Sequence, residues 1–388
     1  MSKTLRVAMI GYGFMGKVHS HAWRTVNHFF PDAPPIEMTV ICGRSAEALE
    51  GARVQFGWNE AETDWKKVIA RSDIDIIDIC TAGDTHAEIA IAALKAGKHV
   101  ICEKPLANNG AEAQAMAEAA SEAIKNGIKS MVAFNYRRVP ALGVAKKLID
   151  DGKIGTIFHV RANYLQDWII DPEFPLVWRL DKNSAGSGAL GDLGAHIVDA
   201  AYFLTGSKIN SVSAITKTFI KERPLPAAYT GLVAQGSAGR GTVTVDDAAI
   251  FTAQFDNGAI GTFEATRFAA GHKNGMSIEI NGSKGSIYFE FENMNELLFH
   301  DYTEDSSTAG FKRILATESS HPYVAAWWPP GHILGYEHTF THEMYDFVVA
   351  IDKGVQPSPS FADGLYVQKV LDAVEVSADS QSQLTPVK

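Results

Sequence analysis

Asp192 and His196 stand four residues apart in a stretch of helical character, so both side chains project from one face toward one place. A carboxylate so placed can orient a hydroxyl while an imidazole, whose pKa lies near neutral, takes its proton. The competing reading of such a pair is a contact on a helix surface. Lys104 is the third candidate. It lies just past an apolar run, between Glu103 and Pro105, where the proline favours an extended, tight turn. A lysine charge there favours an alkoxide as a proton leaves; the plainer reading is a surface lysine.

A second kind of chemistry is written into Gly11-Tyr12-Gly13-Phe14-Met15-Gly16, which follows the apolar run Leu5 to Ile10 and opens a helical pattern. In that context GxGxxG spacing points to a dinucleotide site rather than a bare strand-to-helix turn. Gly11 permits the tight turn, Gly13 lets backbone approach a pyrophosphate, and Gly16 lets helix lie close on sheet. Phe14 and Met15 begin the helix whose N-terminal N–H groups favour phosphate. The next strand ends Cys42-Gly43-Arg44-Ser45. The carboxylate that would accept from ribose hydroxyls is missing at Gly43, while Arg44 and Ser45 suit a 2′-phosphate. The cofactor expected is NAD(P), with a lean to NADP. Arg44 stacked on adenine, with NAD in use, is the competing picture.

These residues need a scaffold, and the pattern around them supplies one. Nearly continuous apolar runs at Leu5 to Ile10, Glu37 to Cys42, Ile74 to Cys80, His99 to Cys102 and Ser130 to Phe134 alternate with helical stretches such as Ala46 to Phe56 and Ala111 to Asn126. That is the pattern of βαβ units in a sheet covered on both faces. Beyond Pro140 comes a helix from Ala141 to Asp150. Strands then follow at Thr156 to Gln166 and from Asn210 to Phe291, with hairpin signals at Asp256-Asn257-Gly258 and Asn281-Gly282. One helix, Gly188 to Leu204, interrupts them; helices at Glu337 to Ile351 and Ala362 to Ala378 close the chain, and the polar tail from Asp379 reads as loose. The fold class expected is α/β: an N-terminal Rossmann doubly wound parallel sheet over 1–137, and a C-terminal α+β domain with an open, mainly antiparallel sheet over 138–388. The closing helices are candidates to pack back on the first domain.

Composition narrows the partners. With 388 residues, two cores are expected. A net charge of −10 and a pI near 5.7 disfavour nucleic acid and anionic membrane as main partners, and no run of apolar residues is long enough to span a bilayer. Cys42, Cys80 and Cys102 each fall near a strand end and form no CxxC pair, so the compartment expected is reducing and cytoplasmic.

Taken together, GxGxxG, Glu103-Lys104-Pro105 and the series Gly191-Asp192, Gly194, His196, Asp199 resemble the Gfo/Idh/MocA family of oxidoreductases. The stretch Tyr164 to Trp168, with Trp178-Arg179 and Gly186 to Asp192, is most similar to its anhydrosugar- and inositol-oxidising members. The resemblance implies an NAD(P)-dependent dehydrogenase in which Lys104, Asp192 and His196 are catalytic and Lys104 touches both substrate hydroxyl and cofactor. It also implies a cis bond before Pro105, with Thr81, Ala82, His86 and Glu103 beside the cofactor. One departure stands out: Thr81-Ala82-Gly83 replaces the family's frequent Thr-Pro-Asn, which removes one contact on the nicotinamide side.

For the substrate, Tyr164, Gln166, Asp167, Trp168, Trp178 and Arg179 offer an aromatic and polar surface suited to a sugar ring, although a core role fits Trp168 and Trp178 equally well. Asn135, Tyr136 and Arg137 follow the last Rossmann strand and are further lining candidates, as is His332 in a turn-rich segment. His338, His342 and Glu343 lack the HExxH order and read as a solvated helix face, and no metal is expected. The function expected is oxidation of a secondary hydroxyl of a sugar, anhydrosugar, glycoside or inositol to a ketone. NAD-assisted glycoside cleavage without net redox, and a non-catalytic sugar- or nucleotide-binding regulator, are the alternatives. The partners expected are a small sugar or cyclitol and further copies of the chain, as a homodimer or homotetramer joined through the C-terminal sheet.

Overall fold

The computed structural model describes residues 3–230 and 233–388, which fall into two compact units. The first runs to Asn135 and takes in Tyr336–Gln368; the second holds most of Tyr136–Gly335 together with Lys369–Lys388.

In the first unit, β1 (Leu5–Ile10), β2 (Ile36–Cys42), β3 (Glu60–Glu62), β4 (Ile76–Ile79), β5 (His99–Cys102) and β6 (Ser130–Val132) form a parallel sheet in the order β3-β2-β1-β4-β5-β6. β4 and β6 are shorter than the apolar runs predict. Ladder-type bonds nevertheless continue at Asp75, Cys80 and Ala133, so the difference is one of boundary. Apart from the exposed edge strand β3, the strands are buried at their centres because helices cover them: α1 (Phe14–Phe29), α2 (Ala46–Phe56), α3 (Trp65–Ala70), α4 (His86–Lys95) and α5 (Gly110–Ile124). The strand order reverses between β1 and β4, which places the loops after Ile10 and Ile79 side by side at the switch point where such sheets bind ligands.

The second unit opens with α6 (Pro140–Asp150) and β7 (Ile157–Leu165), followed by the single-turn α7 (Lys182–Ala185) and by α8 (Ala195–Thr205). Its strands are β8 (Ile209–Lys217), β9 (Glu222–Thr230), β10 (Val233–Thr242), β11 (Ala248–Phe255), β12 (Ile260–Thr266), β13 (Gly275–Gly282), β14 (Gly285–Glu290), β15 (Glu296–Asp301), β16 (Lys312–Leu315) and β17 (Thr385–Pro386). Apart from the β9/β10 ribbon they make one nine-stranded sheet, antiparallel except where β12 lies parallel to β7. Its covered face carries Phe251 stacked on its register partner Phe263, with α8 lying against β7 and β13. The other face leaves Ile215 and its partner Ile250 exposed, with Ile260 also exposed further along, opposite Gln254.

Two expectations need correction. The tail is not loose: Ser377 donates to the Gln383 carbonyl, and Thr385 and Pro386 add an edge strand to β8. Nor is the face carrying His342 and Glu343 solvated. In α9 (Tyr336–Asp352), which packs on α1, both residues are fully buried, and His342 meets the edge of Phe30. The chain's last helix, α10 (Phe361–Asp379), begins in the first unit, where Gly364 lies close to Val132 and Leu106.

Candidate active site

The glycine motif sits as its spacing requires. Gly11 has φ of +104°, and a Cβ there would lie 2.6 Å from the Cys80 carbonyl oxygen; a Cβ on Gly16 would lie 2.3 Å from the Gly11 oxygen. A Cβ on Gly13 would meet nothing within 4 Å, so the space in front of the α1 N-terminus is open. Gly13 caps α1 without a side-chain bond, and the first turn, with Phe14 and Met15, has no acid. Open space at an uncapped, acid-free helix N-terminus fits a pyrophosphate. At the end of β2 the structure explains the missing acid: the Tyr12 ring fills the space, 2.1 Å from where a Cβ on Gly43 would stand. Arg44 and Ser45 are exposed, and Arg44 has no ion pair among the described residues.

Across the switch point the loops are tied by a buried histidine. The His86 ring nitrogens lie 3.1 Å from the carbonyl oxygens of Pro105 and Thr81, so His86 braces the loop of Lys104 and that of Thr81 and Ala82 from within. The Lys104–Pro105 bond is cis. Beside Gly83 the Asn108 carboxamide oxygen occupies the place of any side chain, 2.2 Å from a Cβ built there. Sequence reasoning missed Asn108, because nothing in its own neighbourhood marks it.

Glu103 is nearly buried. One of its carboxylate oxygens accepts from His19 Nε2 at 3.0 Å and the other from the Lys104 backbone N–H at 3.0 Å. The opposite ring nitrogen of His19 faces both oxygens of Asp78 at 3.0 and 3.1 Å, and Asp78 also accepts from Trp23 Nε1. Burial works against a charge on His19. The Asp78 carboxylate, with a smaller contribution from Cys80, outweighs it and raises the imidazole pKa well above its ordinary value. His19, Asp78 and Cys80 cluster tightly enough to hold a metal ion, but both His19 nitrogens are already engaged by carboxylates.

In the second unit, Asp192 and His196 do not lie on one regular helix. Leu190–Gly194 form a π-helical turn that leads into α8. Such turns recur at functional sites. This one is held at its entrance by Asp246, whose carboxylate accepts from the Gly188 and Leu190 N–H groups at 2.6 and 2.8 Å. Gly188 is obligatory, since a Cβ would lie 1.7 Å from the Asp246 carbonyl oxygen. Fully buried Arg267 reaches the Asp246 and Arg179 carbonyls and lies 3.9 Å from the Asp192 carboxylate. Asp192 is partly exposed and His196 almost buried.

Around the His196 ring the aromatic candidates act as walls. Tyr136 and Tyr164 lie with ring centroids 4.6 and 5.8 Å from it, their hydroxyls 2.5 Å apart, and both bond to Asn274, which also accepts from Gln166. Asn274 was not anticipated either. Its loop is pinned by Glu292, whose carboxylate the Asn274 N–H, then the Lys273 N–H, hold below the usual range.

The remaining candidates scatter. Arg137 is committed to a buried two-point ion pair with Asp199, and Asn135 to Thr339. Asp167 pairs with Lys273. Trp168, partly buried, packs on the apolar cluster of Ile169, Val177 and Leu180, with the Arg267 guanidinium over its ring. Trp178 is half-buried with Arg179 stacked on it, and His332 is exposed.

Residues 5–128 match the oxidoreductase family with an NAD-binding Rossmann fold, and residues 143–288 match the GFO/IDH/MocA C-terminal domain. Levoglucosan dehydrogenase of Pseudarthrobacter phenanthrenivorans is 45% identical over 98% of this chain and 97% of its own. The chain belongs to the GFO/IDH/MocA oxidoreductase family. Two solved structures match this family member along its length. An oxidoreductase domain protein from Kribbella flavida has a TM-score of 0.95 at 60% identity, covering 100% of both chains. A levoglucosan dehydrogenase in complex with NADH and levoglucosan has a TM-score of 0.93 at 43% identity, covering 99% of this chain and 100% of that one.

Proposed function

We propose that this oxidoreductase converts a secondary hydroxyl of a sugar, anhydrosugar or inositol to the ketone, with an anhydropyranose as the substrate class of first choice. The end-to-end 45% identity to levoglucosan dehydrogenase carries this reading. When bound, the nicotinamide supplies the hydride acceptor. The chain's own residues do the rest. His196 takes the hydroxyl proton, Asp192 orients the hydroxyl, and the Lys104 ammonium stabilises the developing alkoxide. Gln166, Trp178 and Arg179 line the place of the ring. Tyr136 and Tyr164 support the His196 ring. A panel of anhydrosugars, aldoses and inositols assayed with NAD and NADP tests the reading. Stoichiometric NADH or NADPH with ketone product is expected, and glycoside cleavage without reduced cofactor would replace it.

The cofactor reading follows from the end of β2. With no acid at Gly43 and Arg44 exposed, NADP binds at least as well as NAD. The exposed pair Ile215 and Ile250, with Ile260 further along the same open sheet, calls for a second copy of the chain, since large apolar side chains are costly to leave in water. Light scattering is expected to give a dimer or tetramer, and Ile250→Asp to lower that mass; a wild-type monomer at micromolar concentration overturns this.

A further inference from the structure

The sequence offers no reason for a histidine on the inner face of α1, and the reaction as proposed does not use it. Yet His19 has no exposed surface, and it sits between two carboxylates. Each ring nitrogen faces acceptors only: Asp78 on one side, Glu103 on the other. Two acceptor-only partners require two N–H donors, which a neutral imidazole does not have. With both carboxylates ionised this geometry calls for an imidazolium, and a buried charge of this kind persists only when paired on both sides. The Phe340 ring of α9 closes its remaining side, centroid to centroid at 5.6 Å, and Trp23 anchors Asp78. The far oxygen of Glu103 holds the Lys104 N–H. The line Trp23–Asp78–His19–Glu103–Lys104 thus runs from α1 through the end of β4 to the loop after β5 without passing through water.

We propose that His19 is a positioning residue for Lys104: as a buried imidazolium bridging Asp78 and Glu103, it fixes the carboxylate on which the Lys104 backbone rests. The proposal rests on the reading of Lys104 as the residue that stabilises the alkoxide. It separates His19 from the glycine motif on the same helix, which serves cofactor binding, so the two must come apart in kinetics.

Kinetics of His19→Gln, Lys104→Met and the double variant test it. For folded His19→Gln, kcat falls roughly 10- to 100-fold, the scale of a misplaced catalytic group, while the dissociation constant for NADH changes less than about threefold. In the Lys104→Met background the same substitution has no further effect on kcat, because what it positions is gone. An unchanged kcat in His19→Gln, a loss that follows weakened NADH binding, or full multiplication of the two single effects each overturns the proposal. If Lys104→Met alone retains wild-type kcat, the reading of Lys104 fails first and the proposal with it. Should His19→Gln not fold, ¹⁵N spectra of histidine-labelled wild-type protein decide. Both His19 ring nitrogens are expected to carry protons at mildly alkaline pH, and a neutral ring overturns the bridge.

Discussion

The two units hold their candidate catalytic residues by opposite means. In the first, Lys104 rests on buried charges, with Glu103, His19 and Asp78 packed between helix and sheet. In the second, neutral groups stand around His196: a π-helical turn and two tyrosine rings that share the carboxamide of Asn274. A charged clamp is strong only while every partner stays paired. A neutral network depends less on completeness, because losing one partner leaves a polar group rather than a buried charge unpaired.

The largest effect that can break this division is expected at His196. His196→Ala lowers turnover by about 10²–10⁴, the usual contribution of a general base, and leaves NADH affinity unchanged. Steady-state kinetics with fluorescence titration of NADH checks it; turnover near wild type removes His196 from the chemistry, and lost NADH affinity removes the division between units. Next comes Arg44, which sharpens the first unit's share. Arg44→Ala weakens NADP more than NAD by about 1.5–3 kcal/mol, the scale of a hydrogen bond to a charged group. Calorimetric titration of both cofactors decides it, and an equal loss in both marks an adenine-stacking arginine with NAD as the working cofactor. The smallest change belongs to the neutral network. Asn274→Leu strips two buried tyrosine hydroxyls of a shared partner and destabilises the protein by about 1–3 kcal/mol. It lowers kcat with KM for NAD unaltered. Thermal unfolding together with kinetics reads both, and a raised KM for NAD would show that the two networks are not separate.

The parts of the site legible in the sequence were those encoded locally. Gly11, Gly13 and Gly16 announce a strand-turn-helix that needs small residues at fixed spacing, and the structure shows the contacts a Cβ would make at Gly11 and Gly16. The alternation of β11 (burial changing with every residue from Ala249 to Phe255) likewise gives one covered and one open face. Asp192 and His196 were found by spacing, although the helix expected to carry them begins as a π-helical turn. Its geometry depends on Asp246, more than fifty residues away.

What the sequence did not disclose is the work of residues brought together by the fold. His342 and Glu343 looked like a solvated face because their charges are polar in any local window, yet α9 packs on α1 and takes them inside. Asn108, Asn274 and Arg267 carry no motif, since a hydrogen bond between loops leaves no period along the chain. By itself the sequence determined the glycine turn and the alternation of strands and helices, because each depends on neighbours within a few residues, and it supplied Lys104, Asp192 and His196 as candidates. Only the tertiary structure decided which carboxylates face His19, why Gly43 stands where an acid would, and which side chains the candidate lining residues spend on one another. Those depend on distances closed by packing between segments far apart in the chain.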